Sequence, residues 1–304
     1  MNPDVHGLWP ALLMPVSRSG ELDSARAISH AKRMLAAGSD GVTLFGTTGE
    51  GPAFTVAERK ALLEVMLGDG IGADQIIVAI TALALGDAIE LGRHAVHCGV
   101  ARQMLMPPFY FNAPRDAGIV EAVSQVIRGI GADELKLLLY HFPAMSTFGF
   151  SHGAIGELVR RHPHQVAGVK DSSGDLEHAL ALARAFPALA VLVGAEPHVA
   201  PVMLAGGSGS INGLANIAPA LMRRVIEAPG QVAAADQQLM SSLLALLNVR
   251  ADLPFVGVYK ALLAEQTGDD AWLNMRAPLS SLEPSELQAV RDGYRSLGKL
   301  LESV

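Results

Sequence analysis

Lys170 closes a short apolar run, Val166-Ala-Gly-Val-Lys-Asp-Ser-Ser-Gly174. A lysine at the end of a buried segment is costly unless its neutral amine is used, and the usual use is attack on a carbonyl. The plainer reading is a strand-end lysine with its ammonium in water. Two further runs weigh against that reading: Gly46-Thr-Thr-Gly-Glu50 and Tyr140-His-Phe-Pro143. Condensation of a lysine amine with a 2-oxo acid gives an iminium, an electron sink that loosens the neighbouring C–C or C–H bond. Such a reaction needs an acid/base, for which Tyr140 is the candidate. It also needs donors for the carboxylate, which Thr47, Thr48 and the free N–H groups of their turn can supply. Gly194 and Gly213 would leave room for the bound acid. Each feature also has a plainer explanation: a simple turn at Thr47 and Thr48, core packing for Tyr140, and core or interface packing for Tyr110.

These residues can act together only if the fold brings them together. Strand-like runs at Leu8–Val16, Gly41–Gly46, Ile76–Thr81, Gln103–Met106, Leu135–Phe142, Val166–Lys170, Val191–Gly194 and Gly209–Gly213 alternate with helical ones. The helical runs are Asp23–Ala37, Val56–Leu67, Asp87–Cys98, Asp116–Ile130, Gly153–Arg161, Asp175–Ala185, Pro197–Leu204 and Pro219–Glu227, with Asp23 a plausible N-cap. Near-continuous apolar strands suggest a covered parallel sheet. Eight strand–helix units match a closed (β/α)₈ TIM barrel, usually about 250 residues long. A doubly wound sheet is the alternative, but Ser17-Arg-Ser-Gly20 is no dinucleotide fingerprint. After Ala228-Pro-Gly230 the pattern becomes helical: Gln231–Asn248, Pro254–Gln266 and Pro284–Leu301. The expected organisation is an α/β barrel over 1–228, with an extra C-terminal three-helix module over 229–304 packed on it as one structural unit. In a barrel, residues just after the strands share one mouth. Thr47, Thr48, Tyr110, Tyr140, Lys170, Gly194 and Ile211 all take such positions.

Composition narrows the function. The 304 residues are 50% hydrophobic and 17% charged, with a formal net charge of −7 and aromatics at only 5%. No basic stripe suits nucleic acid. No apolar run approaches the roughly 18 residues of a membrane span, and the N-terminus lacks a signal-peptide pattern. Cys98 is the single cysteine, which fits a cytoplasmic protein. His94, His97 and Cys98 have metal-ligand spacing but no fourth ligand nearby, so no metal is expected. Gly206-Gly-Ser-Gly-Ser210 precedes a strand and lacks a P-loop lysine, which argues against a phosphate loop.

The ordered set Gly46-Thr-Thr-Gly-Glu50, Tyr140-x-x-Pro143, Gly168-Val-Lys170-Asp171, Gly194 and Ser210-Ile-Asn-Gly-Leu-Ala-Asn216 resembles the dihydrodipicolinate synthase / N-acetylneuraminate lyase superfamily. These are Schiff-base-forming, pyruvate-handling class I aldolases. The resemblance implies that Lys170 forms the Schiff base without any cofactor and that Tyr140 transfers protons. It implies that Thr47 and Thr48 hold the carboxylate, with Thr48 in a relay to Tyr140. It also implies that Gly194 and Ile211 line the pocket and that Tyr110 completes the relay from a neighbouring subunit of a homotetramer built from dimers. In one respect the chain departs from the synthases. Their arginine after the tyrosine motif is replaced here by Met145 or a neighbour, and methionine offers no cation. His141 stands in place of a frequent asparagine, either against a sugar hydroxyl or facing the core. The expected activity is a lyase cleaving a 2-keto-3-deoxy sugar acid to pyruvate and an aldehyde. The alternatives are a sugar-acid dehydratase, a 4-hydroxy-tetrahydrodipicolinate synthase, or a non-catalytic 2-oxo acid binder.

Overall fold

The computed structural model describes residues 5–112, 114–247 and 255–303. Eight parallel strands form the sheet, in the order β1-β8-β7-β6-β5-β4-β3-β2. They are β1 Gly7–Leu8, β2 Val42–Leu44, β3 Ile76–Ala79, β4 Arg102–Leu105, β5 Lys136–His141, β6 Val166–Asp171, β7 Ala190–Val193 and β8 Gly209–Ser210. An isolated parallel bridge, Ala11 to Thr43, joins the segment after β1 to β2 and completes the ring. This is the expected (β/α)₈ barrel.

The helices between strands are α1 Ser24–Ala36, α2 Val56–Gly68, α3 Leu85–His97, α4 Asp116–Ile130, α5 Pro143–Ser146, α6 His152–Arg161, α7 Leu176–Ala185, α8 Val199–Leu204 and α9 Pro219–Glu227. Their starts follow local chemistry. The Asp23 carboxylate accepts from the Arg26 N–H at 3.0 Å, and Thr55 with Glu58 forms a capping box before α2. Beyond the barrel come α10 Ala234–Leu247, α11 Phe255–Thr267 and α12 Pro284–Ser296. Leu239, Leu243, Val258 and Leu262 of α10 and α11 join the same buried core as the barrel helices.

Side-chain alternation along the strands explains the two apolar layers. Ile77, Ala79, Met104, Leu138, Tyr140 and Leu192 point inward and pack inside the ring. Ile76, Val78, Leu105, Leu137, Leu139, Val169 and Val191 point outward under the helices. No described helix is long and apolar enough to cross a membrane.

Most elements fall within a few residues of the expected bounds, and two departures have a clear local cause. The first strand is two residues long and does not run Leu8–Val16, because Pro10 and Pro15 have no N–H to give a ladder. The short α5, opened by Pro143, has no counterpart among the expected helices; proline suits a first helical turn. The expected ends at Asn248 and Pro254 lie outside the described residues.

Candidate active site

Strands β5 and β6 place the central pair. Tyr140 is in register with Lys170, one step before His141 with Asp171. Alternation then sends Tyr140 and Lys170 into the barrel and His141 and Asp171 outward. Lys170 and Tyr140 are each 3% exposed, and the lysine Nζ lies 4.2 Å from the Tyr140 ring centroid. No carboxylate forms an ion pair with Lys170 among the described residues. The amine therefore sits against a π face at the floor of an open cavity.

The Thr-Thr turn reaches the same point from β2. Phe45 and Glu50 take left-handed backbone, at φ 58° and 52°. Bulky residues adopt it only where the surroundings enforce it. The Phe45 ring is clamped by Phe54 at 5.7 Å and by the Arg59 guanidinium at 5.5 Å. A Cβ on Gly51 would run into the Phe45 carbonyl, so only glycine closes the turn. Glu50 is fixed from outside by an ion pair with Lys260 of α11 at 2.6 Å, both side chains fully or almost fully buried. The turn thus presents Thr47, whose hydroxyl is 3.1 Å from that of Tyr140. This corrects one expectation: the hydroxyl at Tyr140 belongs to Thr47, one residue before Thr48. Thr48 lines the cavity beside it.

The far wall comes from β7, β8 and α11. The cavity is about 200 Å³, and its lining includes Thr47, Thr48, Tyr140, Lys170, Gly194 and Ile211. Asn212, in the run expected at the end of β8, lines it too, and sequence reasoning misses Ser172, Ser173, Glu196 and Tyr259, which also line it. Gly194 does more than leave room for a ligand: a Cβ there would collide with the Ser172 hydroxyl. Glu196 accepts from the Leu214 N–H at 3.1 Å, and the Tyr259 hydroxyl donates to it at 3.4 Å. Burial pushes the Glu196 carboxyl up from its ordinary range. Burial and the adjoining carboxylate push Tyr259 well above a normal phenol. Asn212 is locked, donating to Ser210 Oγ at 2.7 Å and accepting from the Ala215 N–H at 2.8 Å. Ser172 and Ser173 directly follow the lysine motif and could be found from it. Tyr259 arrives on a helix remote in sequence, with no such signal.

Tyr110 stands apart. It is 75% exposed, next to Phe111 at 69%, in left-handed backbone at φ 83°. A second cavity of about 150 Å³ opens on the other side of Thr47 and Tyr140, with Phe45, Met106, Phe109 and Met145 in its lining. His141 faces away from the main cavity, 7% exposed, which settles its orientation against a sugar contact. His94 is engaged by Glu64 at 3.2 Å on the outer surface.

A profile of the dihydrodipicolinate synthetase family matches residues 4–295. The chain belongs to that family. It is accordingly an enzyme, a lyase of the class I aldolase type. Among family relatives, an uncharacterized DapA-like lyase of Chloroflexus aurantiacus is 33% identical over 295 residues, 96% of each chain. The crystal structure of dihydrodipicolinate synthase from Agrobacterium tumefaciens superposes with a TM-score of 0.88 at 31% identity, covering 97% of this chain and 100% of that one. The fold is shared with a family member from E. coli K12 crystallised with pyruvate, at TM-score 0.84 and 22% identity over 97% and 98% of the chains.

Proposed function

We propose that this lyase forms a Schiff base between Lys170 and a 2-oxo acid and cleaves 2-keto-3-deoxy sugar acids to pyruvate and an aldehyde. The observation that carries the reading is the arrangement of three groups. A buried amine stands over the Tyr140 ring, and the Tyr140 hydroxyl is bonded to Thr47. The neutral amine attacks the keto carbon, and Tyr140 delivers a proton to the departing oxygen as water leaves. The resulting iminium accepts the electrons of the breaking C3–C4 bond while Tyr140 removes the C4 hydroxyl proton. Thr47, Thr48 and the turn amides offer donors to the carboxylate. No resident cofactor or metal enters this scheme.

The lining supports this substrate class. Lys170 is its single cation among the described residues, and Met145 is half exposed at the second cavity. A second substrate carboxylate would find no guanidinium fork there. Hydroxyl groups would find Ser172, Ser173, Glu196, Asn212 and Tyr259. That balance favours a polyol aldehyde over aspartate semialdehyde. A second copy of the chain fits the reading as well. The strained, exposed Tyr110 and an apolar cavity beside Thr47 and Tyr140 suit mutual insertion in a dimer of dimers.

Borohydride reduction in the presence of pyruvate, with peptide mapping, tests the chemistry: the adduct is expected on Lys170. A folded protein that traps no saturating pyruvate would leave a 2-oxo acid binder as the better reading. A panel of sugar acids then separates the activities. Pyruvate release marks the aldolase, and a semialdehyde formed with loss of water marks the dehydratase. Consumption of aspartate semialdehyde with pyruvate marks the synthase.

A further inference from the structure

On the outer face of the barrel wall, directly behind Tyr140 and Lys170, lies a cluster that the proposed reaction leaves unused. His141 Nδ1 accepts from the Phe150 N–H at 3.0 Å. Its ring stacks on that of His178, with centroids 4.2 Å apart and planes at 21°. His178 Nδ1 donates to Asp171 Oδ2 at 3.0 Å, and the other Asp171 oxygen accepts from the Ser173 N–H at 2.7 Å. A Cβ on Gly149 would strike the His141 ring, so the backbone of Gly149 packs directly against it. The ligand atoms of His141, Asp171 and His178 lie within 4.8 Å of one another. Two nearly parallel imidazoles cannot both aim an in-plane lone pair at one ion. The cluster is therefore built to hold its own members together, and it ties α7 to the ends of two strands.

We propose that His141, Asp171 and His178 form a staple on the outside of β5 and β6 that fixes the strand ends carrying Tyr140 and Lys170. The kinetic consequence rests on the Schiff-base reading above. His141 and Asp171 are the next residues after the tyrosine and the lysine, and they share the same register. A shift at the staple thus moves the amine relative to the phenol, and misplacement by about 1 Å can cost on the order of a hundredfold in rate.

The staple has a working pH range. Burial and the neighbouring His178 hold His141 down at about 4. The hydrogen bond to Asp171 raises His178. Between these limits His178 carries the one proton and His141 stays neutral. Asp175, the N-cap of α7, adds to the field on His178, and His152 of α6 lies 5.7 Å from its ring. As pH rises through the raised value of His178, the ion pair with Asp171 becomes a hydrogen bond from a neutral imidazole to a carboxylate, and it weakens. As pH falls through about 4, His141 gains a proton, no longer accepts from Phe150, and two cations stack.

The test follows the rate of pyruvate trapping under cyanoborohydride, from pH 4.5 to 8, in the wild type and in His178→Gln, His141→Asn and His141→Leu. His178→Gln should trap about tenfold more slowly at saturating pyruvate, with half-saturation little changed and the pH profile altered. His141→Asn, which restores an acceptor for Phe150, should recover the rate that His141→Leu loses. Wild-type rate and profile in His178→Gln would overturn the staple. Hydrogen exchange at 138–141 and 168–171 is a second readout, independent of chemistry. Faster exchange in His178→Gln upholds the staple even in a protein that traps no pyruvate, a result that would sink the Schiff-base reading alone. Unchanged exchange overturns it.

Discussion

At the residue scale, the side chains around Lys170 divide into those whose part can be removed singly and those that hold others. Lys170→Ala should give no borohydride-trapped pyruvate while keeping the wild-type fold by circular dichroism. Tyr140→Phe should lower turnover by about a hundredfold or more, because a positioned proton donor contributes on that order; near-normal turnover would remove the phenol from the mechanism. The lysine, the tyrosine and the threonine turn are legible in the sequence because each ends a strand and the barrel gathers strand ends at one mouth. Which threonine meets Tyr140 is not legible. Adjacent residues in a turn point in different directions, and the choice depends on Phe45 being forced into left-handed backbone. Tyr259 is invisible for another reason: its contact with Glu196 spans 63 positions of sequence.

At the element scale, the turn after β2 depends on α11 through Glu50 and Lys260. Burial lowers the basicity of Lys260 while Glu50 restores part of it. Lys260→Met would leave a buried carboxylate without its cation and should cost about 3–5 kcal/mol, read as a lower midpoint in urea. The double variant Glu50→Gln/Lys260→Met should recover a large share of that loss. If the single and double variants unfold together at the single variant's midpoint, the pair is not what holds the turn. Helix starts are readable where a cap chemistry marks them, as at Asp23 and Thr55. The first strand reads too long in the sequence because its apolar content masks two prolines. Hydropathy reports burial, whereas a ladder also requires N–H donors.

At the scale of the whole molecule, two buried neutral histidines set the acid limit. Burial holds His30 at about 3 and His141 at about 4, against an ordinary 6.5. Both folded values are depressed, so below 6.5 the unfolded chain binds protons that the native one does not. Stability therefore falls as pH drops from about 6.5 toward these values. Glu196, raised by burial, acts in the opposite sense over part of that range. The net expectation is a urea midpoint that declines from pH 6.5 to 4.5; a flat midpoint would contradict it. The barrel itself follows from eight alternating units, and its closure has a further consequence. The ring is joined at one place by a two-residue strand and a single bridge, Ala11 to Thr43, whereas β5 and β6 share five registered pairs. The threonine turn hangs from the lightly tied side, and the amine and phenol from the firmly tied one. Under native conditions the cylinder should unzip first beside Thr43, loosening the threonine turn while the Lys170 and Tyr140 strand ends stay paired. A ligand carboxylate seated on Thr47 and Thr48 would then act as the clasp of the cylinder, slowing amide exchange at residues 42–44 far more than at 138–141.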